Sequence, residues 1–154
     1  MRHLSAASAA FFEYNFFMTD NLTKEQRHKN MCNIQSTGTK IEKDVSKALW
    51  NLGYRFRKNV KTLPGKPDIA VKKYKIAVFL DSCFFHKCPE HFKKPKSNLE
   101  YWEPKIQRNI KRDKEVSRYY KANNWHILRV WEHEIKKDFD KTIIKIQKFI
   151  DKNS

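Results

Sequence analysis

The sequence predicts a single α/β domain with a mixed central β-sheet flanked by helices. Apolar residues alternate between helical and strand spacing in the order α-β-β-β-α-β-α. A chain of 154 residues is long enough for one core. Hydrophobic residues at 40% and aromatics at 14% belong to a folded chain and exclude a disordered one.

The first helix lies in TKIEKDVSKALWNLG. Thr39 and Glu42 form a capping-box pattern, and Ile41, Val45, Ala48, Leu49 and Leu52 give one apolar face, with Gly53 suited to its end. Three strands follow in YRFRKNV, PDIAV and KIAVFLDS, the last two close together around KKYK as in a hairpin. A long helix then starts near Ser97, or slightly later if Pro104 takes its first turn. Its stripe is Trp102, Ile106, Asn109, Asp113, Val116 and Tyr120, and Asn123 and Asn124 end it. WHILRVW is the fourth strand. Glu134 to Asp151 reads as one amphipathic helix, with Ile135, Phe139, Ile143, Ile146 and Ile150 on its core face.

The net charge of +16 predicts a polyanionic partner, nucleic acid first and an anionic membrane second; solvated surface charge is the plainer alternative. No run approaches the roughly 18–20 apolar residues of a membrane span, so a soluble, cytoplasmic protein is expected. The start MRHLSAASAAFFEYNFF has some character of a signal peptide, but Glu13 and Asn15 interrupt it and no clean cleavage site follows. Residues 1–17 are read as a disordered or non-native extension ahead of a natural start at Met18. Residues 18–38 are read as a basic arm that clamps DNA, and residues 39–152 as the domain. Three cysteines, two of them beside histidines, suggest metal binding in a reducing compartment rather than disulfides, with Cys32 left over as an ordinary thiol.

Chemistry concentrates in LDSCFFHKCPEH, residues 80–91. Cys83, Cys88 and His91 supply three zinc ligands at short spacing. The fourth is either His133, in VWEHE, or His86, and spacing leaves both open. The plainer alternative is buried thiols and satisfied histidines. Asp68, in LPGKPDIAV, enters a strand after a Gly65-containing turn, and the next strand ends at Asp81. Two carboxylates on adjacent strand ends can share Mg2+. This is similar to the PD-(D/E)xK nuclease pattern, but Ser82 and Cys83 follow Asp81 and no lysine stands two places on. By itself Asp68 is equally a turn aspartate.

Taken together, several stretches are more specific. From about Leu22 to Ile150 the chain resembles the very short patch repair (Vsr) DNA mismatch endonucleases. The matching stretches are KNM at 29–31, TKIEK at 39–43, LPGKPD at 63–68, CFFHKCPEH at 83–91, YWEPKIQRNIKRD at 101–113 and VWEHE at 130–134. The resemblance assigns Cys83, Cys88, His91 and His133 to structural Zn2+ and frees His86 as general acid/base. A coordinated imidazole cannot shuttle protons, whereas a free one titrates near neutrality. It further makes Asp68 the Mg2+-binding aspartate, with the backbone carbonyl of Leu80 as a second oxygen. Glu42 and Asp113 match supporting acids, and Asp81 is a possible site residue. For Glu42 the plain alternative is its capping role, and for Asp113 an exposed helix acid.

Phe84, Phe85 and Trp102 match an aromatic wedge entering DNA beside the mismatch, and Met31 a residue entering from the opposite groove; core packing is the alternative for the aromatics. The chain departs from the family at Phe85, where tryptophan is usual, and at Ser82, Lys87 and Cys32. The expected function is Mg2+-dependent nicking of one strand 5′ of the thymine in T:G mismatches, which arise when 5-methylcytosine deaminates. The partner is double-stranded DNA, no membrane is involved, and the enzyme is expected to be monomeric. The rivals are a restriction-type endonuclease of the same fold that cuts paired DNA, and a non-catalytic zinc DNA-binding protein.

Overall fold

A computed structural model describes residues 38–96 and 98–154, together with Thr23, Glu25, Gln26 and Lys29. The chain divides into two units, Met1–Gln35 and Ser36–Ser154. In the first, the Thr23 amide donates to Gln26 Oε1 and the Gln26 amide donates to Thr23 Oγ1. Met31, Cys32, the extension 1–17 and most of the basic arm lie outside the described residues.

The second unit runs α1 (Lys40–Asn51), β1 (Arg57–Lys58), β2 (Ile69–Val71), a 3-10 turn (Lys72–Tyr74), β3 (Ile76–Asp81), α2 (Leu99–Ala122), β4 (His126–Trp131), α3 (Glu132–Lys137) and α4 (Phe139–Lys152). The four strands form one sheet in the order β1-β2-β3-β4. The first three are antiparallel, whereas β3 and β4 are parallel and joined through α2. The sheet is therefore mixed, as the sequence predicts.

Alternation along β3 and β4 sorts the side chains between two layers. Ile76, Val78 and Val130 join Val45 and Leu49 of α1 and Ile143, Ile146 and Ile150 of α4 in the larger cluster. Ala77 and Phe79 pack with Val116 and Tyr120 of α2 on the other. The same alternation carries Asp81 and Arg129 to the α2 side. Side chains that would otherwise extend a hydrophobic layer thus become the floor of a polar site.

Several local features depart from expectation. Leu52 is 54% exposed, because α1 stops at Asn51 and Leu52 is its closing residue, its amide bonded to the Ala48 carbonyl. Strand β1 covers only two residues of YRFRKNV: Asn59 takes a left-handed φ of 47° and leaves the strand, its amide donating to the Asp68 carbonyl. Helix α2 starts at Leu99, so Pro104 stands inside the helix rather than in its first turn. The carboxy-terminal helix is two helices. Asp138 is extended, with φ −152°, and its carboxylate accepts the Lys141 amide to begin α4. Of the core residues predicted for it, Ile135, Ile143, Ile146 and Ile150 are buried, and Phe139 is partly buried against their cluster.

Candidate active site

Asp68 immediately precedes β2 and reaches across to β3, where its Oδ2 accepts the Leu80 amide at 2.7 Å. In a strand the N–H and C=O of one residue point to the same neighbour, so the Leu80 carbonyl faces the same side as that amide. Asp68 and Leu80 thus offer two oxygens at one end of the β2–β3 pair, in the middle of the sheet. Burial pushes Asp68 up to about 7 despite the Leu80 hydrogen bond, with the charges of Glu42 and Asp81 adding to the rise. A carboxylate held in this way gains from a cation. The fit is that of a hard, oxygen-binding ion such as Mg2+. Glu42 keeps its capping role at the same time. It accepts the Gly38 amide at 2.7 Å and the Thr39 hydroxyl at 3.0 Å, and Asn59 Nδ2 donates to it at 3.4 Å.

On the α2 side, His86 Nδ1 lies 2.6 Å from Asp113 Oδ2. An ionised carboxylate only accepts, so Nδ1 carries the hydrogen and Nε2 is left for other work. Burial acts to raise Asp113, but His86 and Arg129 outweigh it and hold the group below its ordinary value. Arg129 donates from Nε to Asp81 Oδ2 at 2.5 Å and from Nη2 to Asp81 Oδ1 at 3.0 Å. The same Nη2 is 3.0 Å from Asp113 Oδ1. Asp81 is 3% exposed and its Oδ1 stands 3.8 Å from His86 Nδ1. A cleft of about 380 Å³ opens over this network, lined by Asp81, His86, Asp113 and Arg129 and, along α2, by the cations Lys114, Arg118 and Lys121.

The loop between β3 and α2 carries the thiols. His133 Nδ1 is 3.3 Å from Cys83 Sγ and 3.5 Å from Cys88 Sγ. Zinc bonded at its usual lengths would separate a sulfur and a nitrogen ligand by about 3.6 Å. The donor atoms of Cys83, Cys88 and His133 all lie within 4.8 Å of one another. His91 Nδ1 is 4.0 Å from Cys88 Sγ, and the His91 and His133 rings are 4.2 Å apart. Burial and the neighbouring Cys88 push Cys83 up to about 11, so without a cation it stays a thiol at neutral pH. The donors Cys83, Cys88 and His133 fit zinc, whose binding would release the Cys83 proton, whereas His91 groups with His133 and Glu90.

Phe84, Phe85 and Trp102 make one half-buried aromatic cluster: Phe84 meets Trp102 edge-on at 5.0 Å and Phe85 edge-on at 5.2 Å. Lys105 lies over the Trp102 ring at 5.2 Å. Asn109 Nδ2 donates to the Phe85 carbonyl at 3.1 Å and ties the loop to α2. The three rings belong to neither hydrophobic cluster of the domain.

Sequence reasoning singled out the residues of these groups except Gly38, Asn59, Lys105, Arg129 and the cleft cations. Arg129 carried a usable signal. It sits inside WHILRVW two places from Ile127 and on the same face, where an arginine needs a buried partner.

Residues 19–91 match the family model described as DNA mismatch endonuclease Vsr. The chain is 46% identical over 121 residues to the type II nicking enzyme V.NmeDIP of Neisseria meningitidis serogroup C, covering 77% of this chain and 82% of that one. It is 42% identical over 134 residues to the type II nicking enzyme V.HpaIIP of Haemophilus parainfluenzae, covering 85% and 95%. Against the DNA mismatch endonuclease Vsr of Escherichia coli K12 it is 38% identical over 117 residues, covering 75% and 74%. Similarity at this level over most of both chains leads to one conclusion: this chain belongs to the Vsr family of DNA endonucleases.

Proposed function

We propose that the protein nicks one strand of double-stranded DNA 5′ of the thymine in a T:G mismatch, in a Mg2+-dependent hydrolysis. The observation that carries the reading is the His86–Asp113 pair at 2.6 Å, set in a cleft beside Asp81 and lined by cations. Asp113 fixes the tautomer of His86, and His86 Nε2 moves the proton as general acid/base. Asp68 and the Leu80 carbonyl hold Mg2+, with Glu42 supporting Asp68 through charge. Bound there, the ion would supply positive charge to the scissile phosphate and acidify a water. Lys114, Arg118 and Lys121 grip phosphates and read no sequence.

Cys83, Cys88, His91 and His133 hold structural Zn2+ and stiffen the loop presenting His86. The engagement of His86 by Asp113 rather than by the thiols supports this division. Phe84, Phe85 and Trp102 form the wedge, and Met31 of the arm approaches from the opposite groove. Opening a base step costs a few kcal/mol, less at a mismatch, so the wedge favours mismatched DNA. The fold is that of the restriction endonucleases, acting here as a monomer.

A second reading, nicking of fully paired DNA, is kept because the two relatives above are described as type II nicking enzymes, with no mismatch specified. Single-turnover nicking of matched T:G and T:A duplexes in Mg2+ separates the two. The proposal expects cleavage of T:G alone, and equal rates on both would sink it. Asp68→Asn should fold, still bind the T:G duplex and lose nicking by several orders of magnitude, as when a main electrostatic contribution is removed. Near-native nicking by that variant would place the metal elsewhere.

A further inference from the structure

Arg129 lines the cleft, where an arginine would be expected to grip a phosphate, yet its strongest contacts run to two protein carboxylates. An arginine has five N–H bonds. Nε and Nη2 serve Asp81 and Asp113, as described above. Nη1 faces the Asp113 carbonyl at 3.4 Å and Ser117 Oγ at 3.5 Å. Its short contacts are thus all to the two carboxylates, and only Nη1 is loosely held. Burial works against its charge, but Asp81 and Asp113 together hold it protonated.

The consequences fall on two carboxylates. Asp81 ends the strand next to Asp68, where a second carboxylate would ordinarily join a metal. Here both of its oxygens are taken by Arg129, and it is 3% exposed. Asp113 has one oxygen on Arg129 and the other on His86. The contact on Oδ1 restrains the carboxylate and favours the orientation in which Oδ2 meets the imidazole.

We propose that Arg129 is a positioning residue for cleavage: it holds Asp81 off the metal position and turns Asp113 toward His86. The inference rests on the reading of Asp68 as the metal ligand. Asp81, a candidate metal or catalytic residue from its sequence position, becomes the anchor of Arg129.

The test compares Asp81→Asn, Arg129→Gln, the double variant Asp81→Asn/Arg129→Gln, and Asp68→Asn. The double variant leaves no unpaired buried charge between these two positions, so it keeps the test usable if Arg129→Gln misfolds. Mn2+ binding is read from the electron paramagnetic resonance of the free ion, and single-turnover nicking and DNA affinity are measured alongside. Asp81→Asn should bind Mn2+ as the native protein does. Arg129→Gln should bind it about tenfold more tightly, because a carboxylate is released beside the site. The double variant should return to native Mn2+ affinity and native DNA affinity while nicking about a hundredfold more slowly, the effect of a misaimed catalytic group. Mn2+ binding weakened by Asp81→Asn as much as by Asp68→Asn would make Asp81 a ligand and overturn the proposal. Near-native nicking by the double variant would overturn it as well. Unchanged Mn2+ binding by Asp68→Asn would instead overturn the metal reading on which the inference stands.

Discussion

Asp68 shows how a single side chain can be strained by its surroundings until a ligand arrives. Its native-state pKa of about 7 lies above the ordinary 3.8. Between those values the folded protein holds a proton that the unfolded chain has released. The contribution of Asp68 to the stability of the metal-free protein therefore falls as pH rises from 3.8 to about 7 and is level above that. Asp68→Asn removes this loss. In a Mg2+-free buffer its melting temperature should exceed the native value by a margin that grows across that interval. The same proton competes with Mg2+, so Mg2+ should raise the native melting temperature more at pH 8 than at pH 5. A constant margin, or equal stabilisation at both pH values, would show that Asp68 is not the buried acid described. The thiols and His86 drew attention in the sequence through their types and close spacing, whereas the roles of Asp68 and His86 came from the resemblance. Arg129 was not singled out, because a lone arginine in a strand has no partner until the register of β3 and β4 sets it on the same face as Asp81.

At the scale of elements, the turn LPGKPD and helix α2 are built against one another. Tyr120 is fully buried and its hydroxyl donates to the Pro64 carbonyl at 2.8 Å. Gly65 has φ +73°, and a Cβ there would stand 2.8 Å from Val116 Cγ1 and 3.2 Å from Phe79 Cε1. Gly65→Ala should destabilise the domain by about 2–4 kcal/mol, through the left-handed backbone and the overpacking together. Denaturant unfolding would measure this, and a loss below about 0.5 kcal/mol, the range of neutral surface changes, would mean that α2 yields to the methyl group. The turn also delivers Asp68, so nicking should fall with stability. Element types and order followed from apolar period, but their ends did not. The early end of β1 at Asn59 and the break at Asp138 depend on single-residue dihedral angles, which hydrophobic pattern does not encode. Pro104 stands inside α2, where a first-turn rule had no purchase.

For the molecule as a whole, charge sets the strength of the encounter with DNA and geometry sets its outcome. A net charge of +16, with Lys114, Arg118 and Lys121 along the cleft, implies that many phosphates are neutralised at once. Affinity for any duplex should then fall by about a thousandfold or more between 50 and 200 mM salt. Fluorescence anisotropy would show it, and a shallow salt slope would mean that the cations are spread where DNA does not reach. Sequence composition revealed the partner class, whereas the placement of the cations on one helix face required the fold. That helix has a further consequence. Trp102 and Asp113 stand three turns apart on α2, about 16 Å at the helical rise, with Asn109 between them holding the loop that bears His86. On the proposed reading, the point where the duplex is pried open and the point where it is severed are the two jaws of one caliper. The interval between mismatch and nick is thus a constant of the protein, unaffected by how the DNA bends. One residue inserted between Trp102 and Asn109 would turn the jaws about 100° out of line, so the protein would still find the mismatch but no longer cut beside it.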